Sequence, residues 1–592
     1  MNTLLLISVG PVQEFIASAR KLRDLWIGSH LLSELSKTVA RTLAGHGAEL
    51  IFPAPTDNSD LEKKSSLVVA NKILARVSDA AEAERLQNLA RQSWRAHLDC
   101  LGVETIAEIE KRFHKLDINK TRFKAQVIDY GDFFAVWTEI EAPGKYRAAR
   151  ARVEQLLAAR KNLREFMAPM WDGSGVPKNS LDGFRECVTP ENAPDIRGLL
   201  KKNEKLDAMG CIKRFSDLTN PAETKHFADL ADVALVPWLM GLENKPEARE
   251  LISAFQQSLL PSDAKRNDNK RQISKNIPLL VEAECFFAPL EKLQEINGID
   301  PEKAWQLRSR MVKACGEPSH YSVIMVGDGD HMGKMIDAIT SMEIHKTFSR
   351  KLSEFAREVE PIIREAGGSL IYAGGDDVMA YLPLHQAISC ADAIRKKFHD
   401  VMKALHDKEK LDCEVPTFSA GLAIVHHSCP LDQALDLARK AEKLAKTKGQ
   451  RNALALIQSK RSGSELKICG KWDADGYLPG IAERIASTVA MYNEDNAVLP
   501  SRLGYELRRV LVETGGNGEM KFKYEGAVIK PDNATAALVK RIFDHKNDGN
   551  TTKNVKLSTL LSGRSDVAQF ADELVIVRQV AEAVSLAQGG ER

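Results

Sequence analysis

Along residues 320–460, short apolar runs alternate with longer stretches whose apolar positions recur every three or four residues. Tyr321–Val326 reads as a buried strand, followed by the Gly/Asp turn Gly327–Asp330. Helical spacing runs from about Met332 to Ile339 and again from Ile344 to Glu365, where Gly367-Gly368 ends it. Ser369–Ala373 and Val378–Leu382 are two apolar strands, and Gly374–Asp377 joins them as a hairpin. A helix over His385–Leu405, a strand over Thr417–Val425, a helix over Leu431–Thr447 and a strand over Asn452–Ile457 complete the segment. The order strand–helix–strand–strand–helix–strand is that of a ferredoxin-like palm.

The remaining segments pattern less regularly. Residues 1 to about 165 open with the apolar run Leu4–Val9, then Gly10-Pro11 and a helical segment from Val12 through Lys37. Strand-like runs follow at Ser66–Ala70 and Gly131–Ile140, and a Pro143-Gly144 turn leads into one amphipathic helix reaching residue 166. Residues 167–215 are rich in Gly, Pro, Asn and Asp and read as a small irregular module. Helical spacing returns over residues 216–315, including Glu223–Leu242 and Pro246–Ser258, with a basic surface loop at Lys265–Arg271. Residues 461–592 pattern mainly as helices, near 478–492, 500–513, 533–545 and 567–588, and carry no evident chemistry. A packing or docking role is expected for them.

Composition sharpens this picture only modestly. A chain of 592 residues exceeds one core, and roughly three to five domains are expected. Its 44% hydrophobic and 28% charged residues are ordinary for a folded, soluble protein. No run of eighteen apolar residues occurs, so no membrane span is expected. Leu4–Val9 lacks a basic lead and a small-residue cleavage site, so it reads as a strand, and a cytoplasmic location is expected. A net charge of +2, from 83 basic and 81 acidic residues, argues against a simple nucleic-acid coat. Basic stretches such as Lys201-Lys202 and Lys440–Lys448 read as solvated helix faces or as local tracks for nucleic acid. The nine cysteines stand far apart with no C-x-x-C pair, which supports neither a zinc ribbon nor a disulfide framework.

The candidate chemistry lies in the palm. Nucleotidyl transfer needs a hydroxyl made nucleophilic and a leaving pyrophosphate neutralised, and two Mg²⁺ ions roughly 3.5–4 Å apart can do both. Such ions want carboxylate oxygens converging from separate strands. Asp328 follows the first strand and Asp376-Asp377 sits at the hairpin tip. In the expected sheet the first strand lies beside the strand entering the hairpin, so Asp328 faces the pair across one spacing of about 4.8 Å. Gly374 and Gly375 permit a tight turn and let phosphates approach the backbone. Gly327 and Gly329, around Asp328 and Asp330, allow the same approach. Lys446 is either a triphosphate ligand or an ordinary helix C-terminal cation, and Ser419 either bonds a nucleotide or simply packs in a strand.

These pieces resemble a known family. The opening Ile7–Ile16 (ISVGPVQEFI), with Ala19-Arg20-Lys21, Arg23–Trp26, Gly28-Ser29 and Leu32-Ser33, is similar to the N-terminus of the large cyclase subunit of type III-B (Cmr) CRISPR–Cas effector complexes. Gly327–Gly333 (GDGDHMG), Leu370–Pro383 (LIYAGGDDVMAYLP), Ser419–Ala423 and Ala445–Leu454 look like that family's second palm. The resemblance covers roughly residues 1–460. It implies an α+β architecture: a non-catalytic first palm (1–165), a degenerate zinc-ribbon-like module (166–215), a helical linker (216–315), a catalytic second palm (316–460) and a helical C-terminal domain (461–592).

The resemblance further implies a subunit that, on target-RNA recognition, joins ATP into cyclic oligoadenylates. Asp328, Asp376 and Asp377 would be catalytic and bind Mg²⁺ or Mn²⁺, while Gly374, Gly375, Asp330, Ser419 and Lys446 would contact nucleotide. Other Cmr subunits, guide RNA and target RNA would be its partners. Alternatives are AMP transfer to another acceptor such as S-adenosylmethionine, or a silent scaffold. A stand-alone cyclic-dinucleotide cyclase is a third reading, although its usual G-G-[DE]-E-F hairpin differs from the Asp377-Val378 here.

Three departures from the family's pattern stand out. Met1 lies a few residues before the first palm strand, so no HD nuclease domain is expected. Asn179, Asp182, Asp207 and Gly210 stand where two cysteine pairs belong, so no zinc is expected, Cys187 and Cys211 alone being too few. Pro11 occupies the position of a metal acid in the first palm, which leaves that half to hold the acceptor ATP.

Overall fold

The protein is described by a computed structural model. It describes residues 2–163 except 64, 66 and 143; 175–216 except 197 and 198; 229–260 except 244; 277–295 except 278; 299–460; 465–493; 499–546 except 517, 526 and 527; and 560–590. No described helix is long and apolar enough to cross a membrane. The basic stretch Lys265–Arg271 lies outside the described residues, as do residues 223–228 of the expected helix that ends at Leu242.

The first sheet contains β1 (Asn2–Gly10), β2 (Glu49–Phe52), β3 (Lys72–Val77) and β4 (Asp132–Ile140), in the order β2-β3-β1-β4. All its neighbours are antiparallel. Successive side chains of β1 enter different cores. Leu5, Ile7 and Val9 pack among the helices Leu22–Gly45 and Ala80–Arg112, while Leu4 and Leu6 pack with Tyr146, Ala149 and Val153 of the helix Tyr146–Asn162. Both faces of β1 are therefore dry, which explains why its sequence is an unbroken apolar run rather than an alternation.

Two expectations for this region need correcting. The strand expected at Ser66–Ala70 forms instead at Lys72–Val77, and residues 67–70 carry no strand. The helical segment from Val12 splits into Gln13–Ala17 and Leu22–Gly45. The break arises because the Asp24 carboxylate accepts from the backbone N–H groups of Arg20 and Lys21 and so starts the second helix afresh.

The second sheet has six strands: β5 (Tyr321–Asp330), β6 (Ser369–Gly374), β7 (Asp377–Pro383), β8 (Thr417–His426), β9 (Ala453–Gln458) and β10 (Leu466–Lys471). Their order is β10-β9-β8-β5-β7-β6. Strands β5 to β8 form the expected ferredoxin-like core. The helix Leu431–Thr447 crosses back so that β9 adds parallel to β8, and β10 adds antiparallel to β9. The palm sheet thus runs to Lys471, past the expected limit at residue 460. Beyond it the chain is mainly helical, as expected, except for an unexpected hairpin of β11 (Phe522–Glu525) and β12 (Val528–Pro531).

The last helix, Val567–Ala587, ties these parts together. Its Phe570 and Leu574 pack with the helices Leu503–Glu513 and Ala534–His545. Ile576, Val577 and Val580 join the palm core, and Leu586 reaches the core around Trp238 and Phe255. Glu573, 1% exposed, receives hydrogen bonds from Arg484 and Arg564.

Candidate active site

The acidic residues of the palm meet because β5 is central. It pairs with β7, the strand leaving the hairpin, and with β8, whereas β6 lies at the sheet edge. The expectation that β5 lies beside the entering strand is therefore corrected, although Asp328 still reaches the hairpin. The segment Gly327–Asp330 is also not a turn. It continues β5, with Asp328 opposite Ser419 and Asp330 opposite Thr417 on β8.

Glycines set the approach of these elements. Gly375, at φ +75°, takes the first position of the two-residue turn between β6 and β7, a conformation glycine adopts freely. Space around it is open. Gly329 works differently. A Cβ there would come within 2.9 Å of the Asp376 Cβ and 2.8 Å of the Phe398 ring, so only glycine lets the hairpin tip close onto β5. The space left by Gly327 is filled by Phe418 and is not available to a phosphate.

Asp328, Asp376 and Asp377 each offer an oxygen, and the three oxygens lie within 4.8 Å of one another. Their environment resists three negative charges. The Asp376 carboxyl is pushed up to about 6, by desolvation first and then by the charge of Asp328. That of Asp377 is pushed well above the usual carboxylate range, again by desolvation first, then by a hydrogen bond with Asp328 and the charges of Asp328 and Asp376. Asp377 is nonetheless exposed, so the cluster opens to solvent on one side. A hard divalent cation fits this donor set: only carboxylate oxygens are offered, and their crowding is relieved by positive charge.

Lys446 donates to Asp328 and pairs with Glu442, 2.6 Å away and one helical turn earlier. Both pairings hold its ammonium above the usual lysine range, although burial alone would lower it. The helix Leu431–Thr447 can lie this low because Gly421 of β8 faces its backbone at Glu442, leaving no room for a side chain. The sequence marks Glu442 only by its i, i+4 spacing from Lys446.

Asp330 and Ser419 are brought together, but with each other. The Asp330 carboxylate, 1% exposed, accepts from Ser419 Oγ at 2.8 Å, Thr417 Oγ1 at 2.9 Å and the Asn452 backbone N–H at 3.0 Å. These bonds close the end of β5 onto β8 and the start of β9. Asp330 lies outside the three-acid group.

In the small module, Asp207 caps the helix Ala208–Phe215 by accepting from the Gly210 N–H, and Asp182 accepts from Ser18 Oγ and the Phe184 N–H. Asn179 donates to Asp182. Cys187 and Cys211 are buried, which pushes both thiols up and away from the thiolate form.

A family model described as Cas10/Cmr2, second palm domain, matches residues 321–455, and one described as CRISPR-associated protein Cmr2, N-terminal, matches residues 4–104. The chain is 26% identical over 564 residues to the CRISPR system Cmr subunit Cmr2 of Pyrococcus furiosus, an alignment covering 78% of this chain. The chain spans 62% of that relative's length. Its fold is similar to chains in cryo-EM structures of a type III-B Cmr-beta complex. The apo state gives a TM-score of 0.58 at 12% identity, covering 100% of this chain and 82% of that one. The state bound to cognate target RNA gives 0.62 at 14%, covering 98% and 83%. The chain thus carries a segment matching the Cmr2 N-terminal domain and one matching the second palm domain of Cas10/Cmr2, and is similar across both to a Cmr2 subunit of a type III-B CRISPR system.

Proposed function

We propose that this chain is the large subunit of an RNA-guided complex in which target-RNA binding switches on conversion of ATP to cyclic oligoadenylates. The observation that carries the reading is the convergence of Asp328, Asp376 and Asp377 from β5 and the β6–β7 hairpin, with Lys446 against them. Bound Mg²⁺ or Mn²⁺ would supply activation of the attacking hydroxyl and neutralisation of the leaving pyrophosphate. The protein's own work is positional. Asp328 is held by Lys446, and the turn at Gly375 leaves room beside the acids for a polyphosphate. Lys446 is placed to exchange part of its contact with Asp328 for a triphosphate oxygen. Asp330 and Ser419 fix the strand ends that aim the acids, in place of the direct nucleotide contacts expected of them.

Guide RNA, target RNA and further Cmr subunits are the partners this reading requires. It is tested by assembling the complex with guide RNA and offering ATP, GTP, CTP and UTP separately, with and without target RNA. Adenylate rings seen by mass spectrometry only with ATP and target RNA support it. AMP attached to another acceptor, or no nucleotide product, rejects it in favour of acceptor transfer or a scaffold.

A further inference from the structure

The strands that carry the acids at one end bring three histidines together at the other. His320 immediately precedes β5, His426 ends β8, and His427 follows it. The antiparallel register places Tyr321 opposite His426, and the His427 N–H donates to the His320 carbonyl at 2.8 Å. Each histidine offers a ring nitrogen, and the three nitrogens lie within 4.8 Å of one another. His426 is seven strand positions from Ser419, the residue opposite Asp328, roughly 23 Å at the usual rise, so the group is separate from the acid cluster.

We propose that His320, His426 and His427 form a site for a borderline transition-metal ion, zinc(II) or cobalt(II) in type, with one coordination position left open. Imidazole selects such ions over the hard cations suited to the acids. Three protein nitrogens plus an exchangeable ligand is the usual pattern of an open tetrahedral site. The walls restrain the rings. His320 and His426 stack at 5.4 Å between centroids, and the Phe287 ring stacks on His427 at 4.1 Å. Ser428 orients the His426 ring, its backbone N–H donating to Nδ1 at 3.2 Å and its Oγ lying 2.8 Å from the same nitrogen. All three histidines are part-exposed, so an ion can enter from solvent. Metal–nitrogen bonds of about 2.0–2.1 Å imply a nitrogen spacing of about 3.3 Å, so binding requires the stacked rings to turn and draw nitrogens that now lie within 4.8 Å closer together. Because His320 and His427 also contact Phe287, bound metal would fasten the segment before β5 to the far end of the palm sheet.

The test uses the untagged full chain carrying Asp376→Asn with Asp377→Asn, so that the acid cluster does not compete. After chelator treatment it is titrated with cobalt chloride in excess Mg²⁺ and followed by visible absorption, then dialysed with zinc chloride for metal analysis. One retained equivalent, visible cobalt bands and a melting temperature raised by zinc are expected. His320→Gln, His426→Gln and His427→Gln, each added singly, should weaken binding by about 100-fold or more and abolish the zinc-dependent melting shift. Should a His427 variant fail to fold for want of its Phe287 stack, the His320 variant gives the same reading. Absence of a retained equivalent, or retention that survives these substitutions, overturns the proposal.

Discussion

The Lys446 ammonium reaches across from the helix Leu431–Thr447 to donate to Asp328, so the cation of the candidate site is already paired with its central acid. This pairing separates two effects that usually travel together. Lys446→Met should lower product formation on the order of 10²-fold, because a charge aimed at the polyphosphate is lost. It should also lower the Mn²⁺ concentration needed for half-maximal rate, because Asp328 is released to bind metal. Initial rates across a Mn²⁺ titration measure both.

Gly329→Ala should act through Asp376. The added methyl meets the Asp376 Cβ, Phe398 and Met332 at once, so the hairpin must withdraw from β5. A stability loss of about 1–3 kcal/mol is expected from such overpacking, together with loss of most activity. Urea unfolding read beside product formation checks it, with Gly375→Asn as a comparison that keeps the turn in open space.

Gly421→Ala should be more damaging to the fold than Gly329→Ala. Its methyl would strike the backbone at Glu442 in place of flexible side chains and would lift the helix that carries Lys446. Thermal melting of the two variants side by side ranks them.

Glu573 gives a pH prediction far from the site. Burial would raise its carboxyl, but Arg564 and Arg484 outweigh that and hold it at about 2. A carboxyl depressed in the folded state adds stability that is fully present above the unfolded value, about 4.3, and is lost as pH falls toward 2. Glu573→Gln leaves two buried guanidinium groups uncompensated and should cost about 3–5 kcal/mol at pH 7. The gap between wild type and variant should narrow below pH 4.3, as measured by denaturant unfolding over a pH series.

Much of the palm was legible because its signals are local. Tyr321–Val326, Ser369–Ala373 and Val378–Leu382 are apolar runs bounded by Gly and Asp, and the helix Leu431–Thr447 declares itself by spacing alone. The first-sheet strand β3 was misplaced because the apolar Leu67–Ala70 outweighs Lys72–Val77, whose Lys72 and Arg76 hide a strand paired on both sides. Strand β10 was missed because Lys467 and Lys471 interrupt it and only pairing with β9 makes it a strand. The convergence of Asp328, Asp376 and Asp377 could be read from motif order, but the role of Asp330 could not. Asp330 has the same residue type and flanking glycine as Asp328, and only the register against Thr417 and Ser419 separates a structural acid from one in the cluster.

The central claim is that the three acids form the nucleotidyl-transfer site. The measurement closest to it is conversion of labelled ATP by complexes, assembled with guide and target RNA, that contain either the wild-type chain or Asp376→Asn with Asp377→Asn. With assembly and RNA binding equal, the variant complex should lose product by at least about 10³-fold. Undiminished adenylate product from the variant would contradict the account.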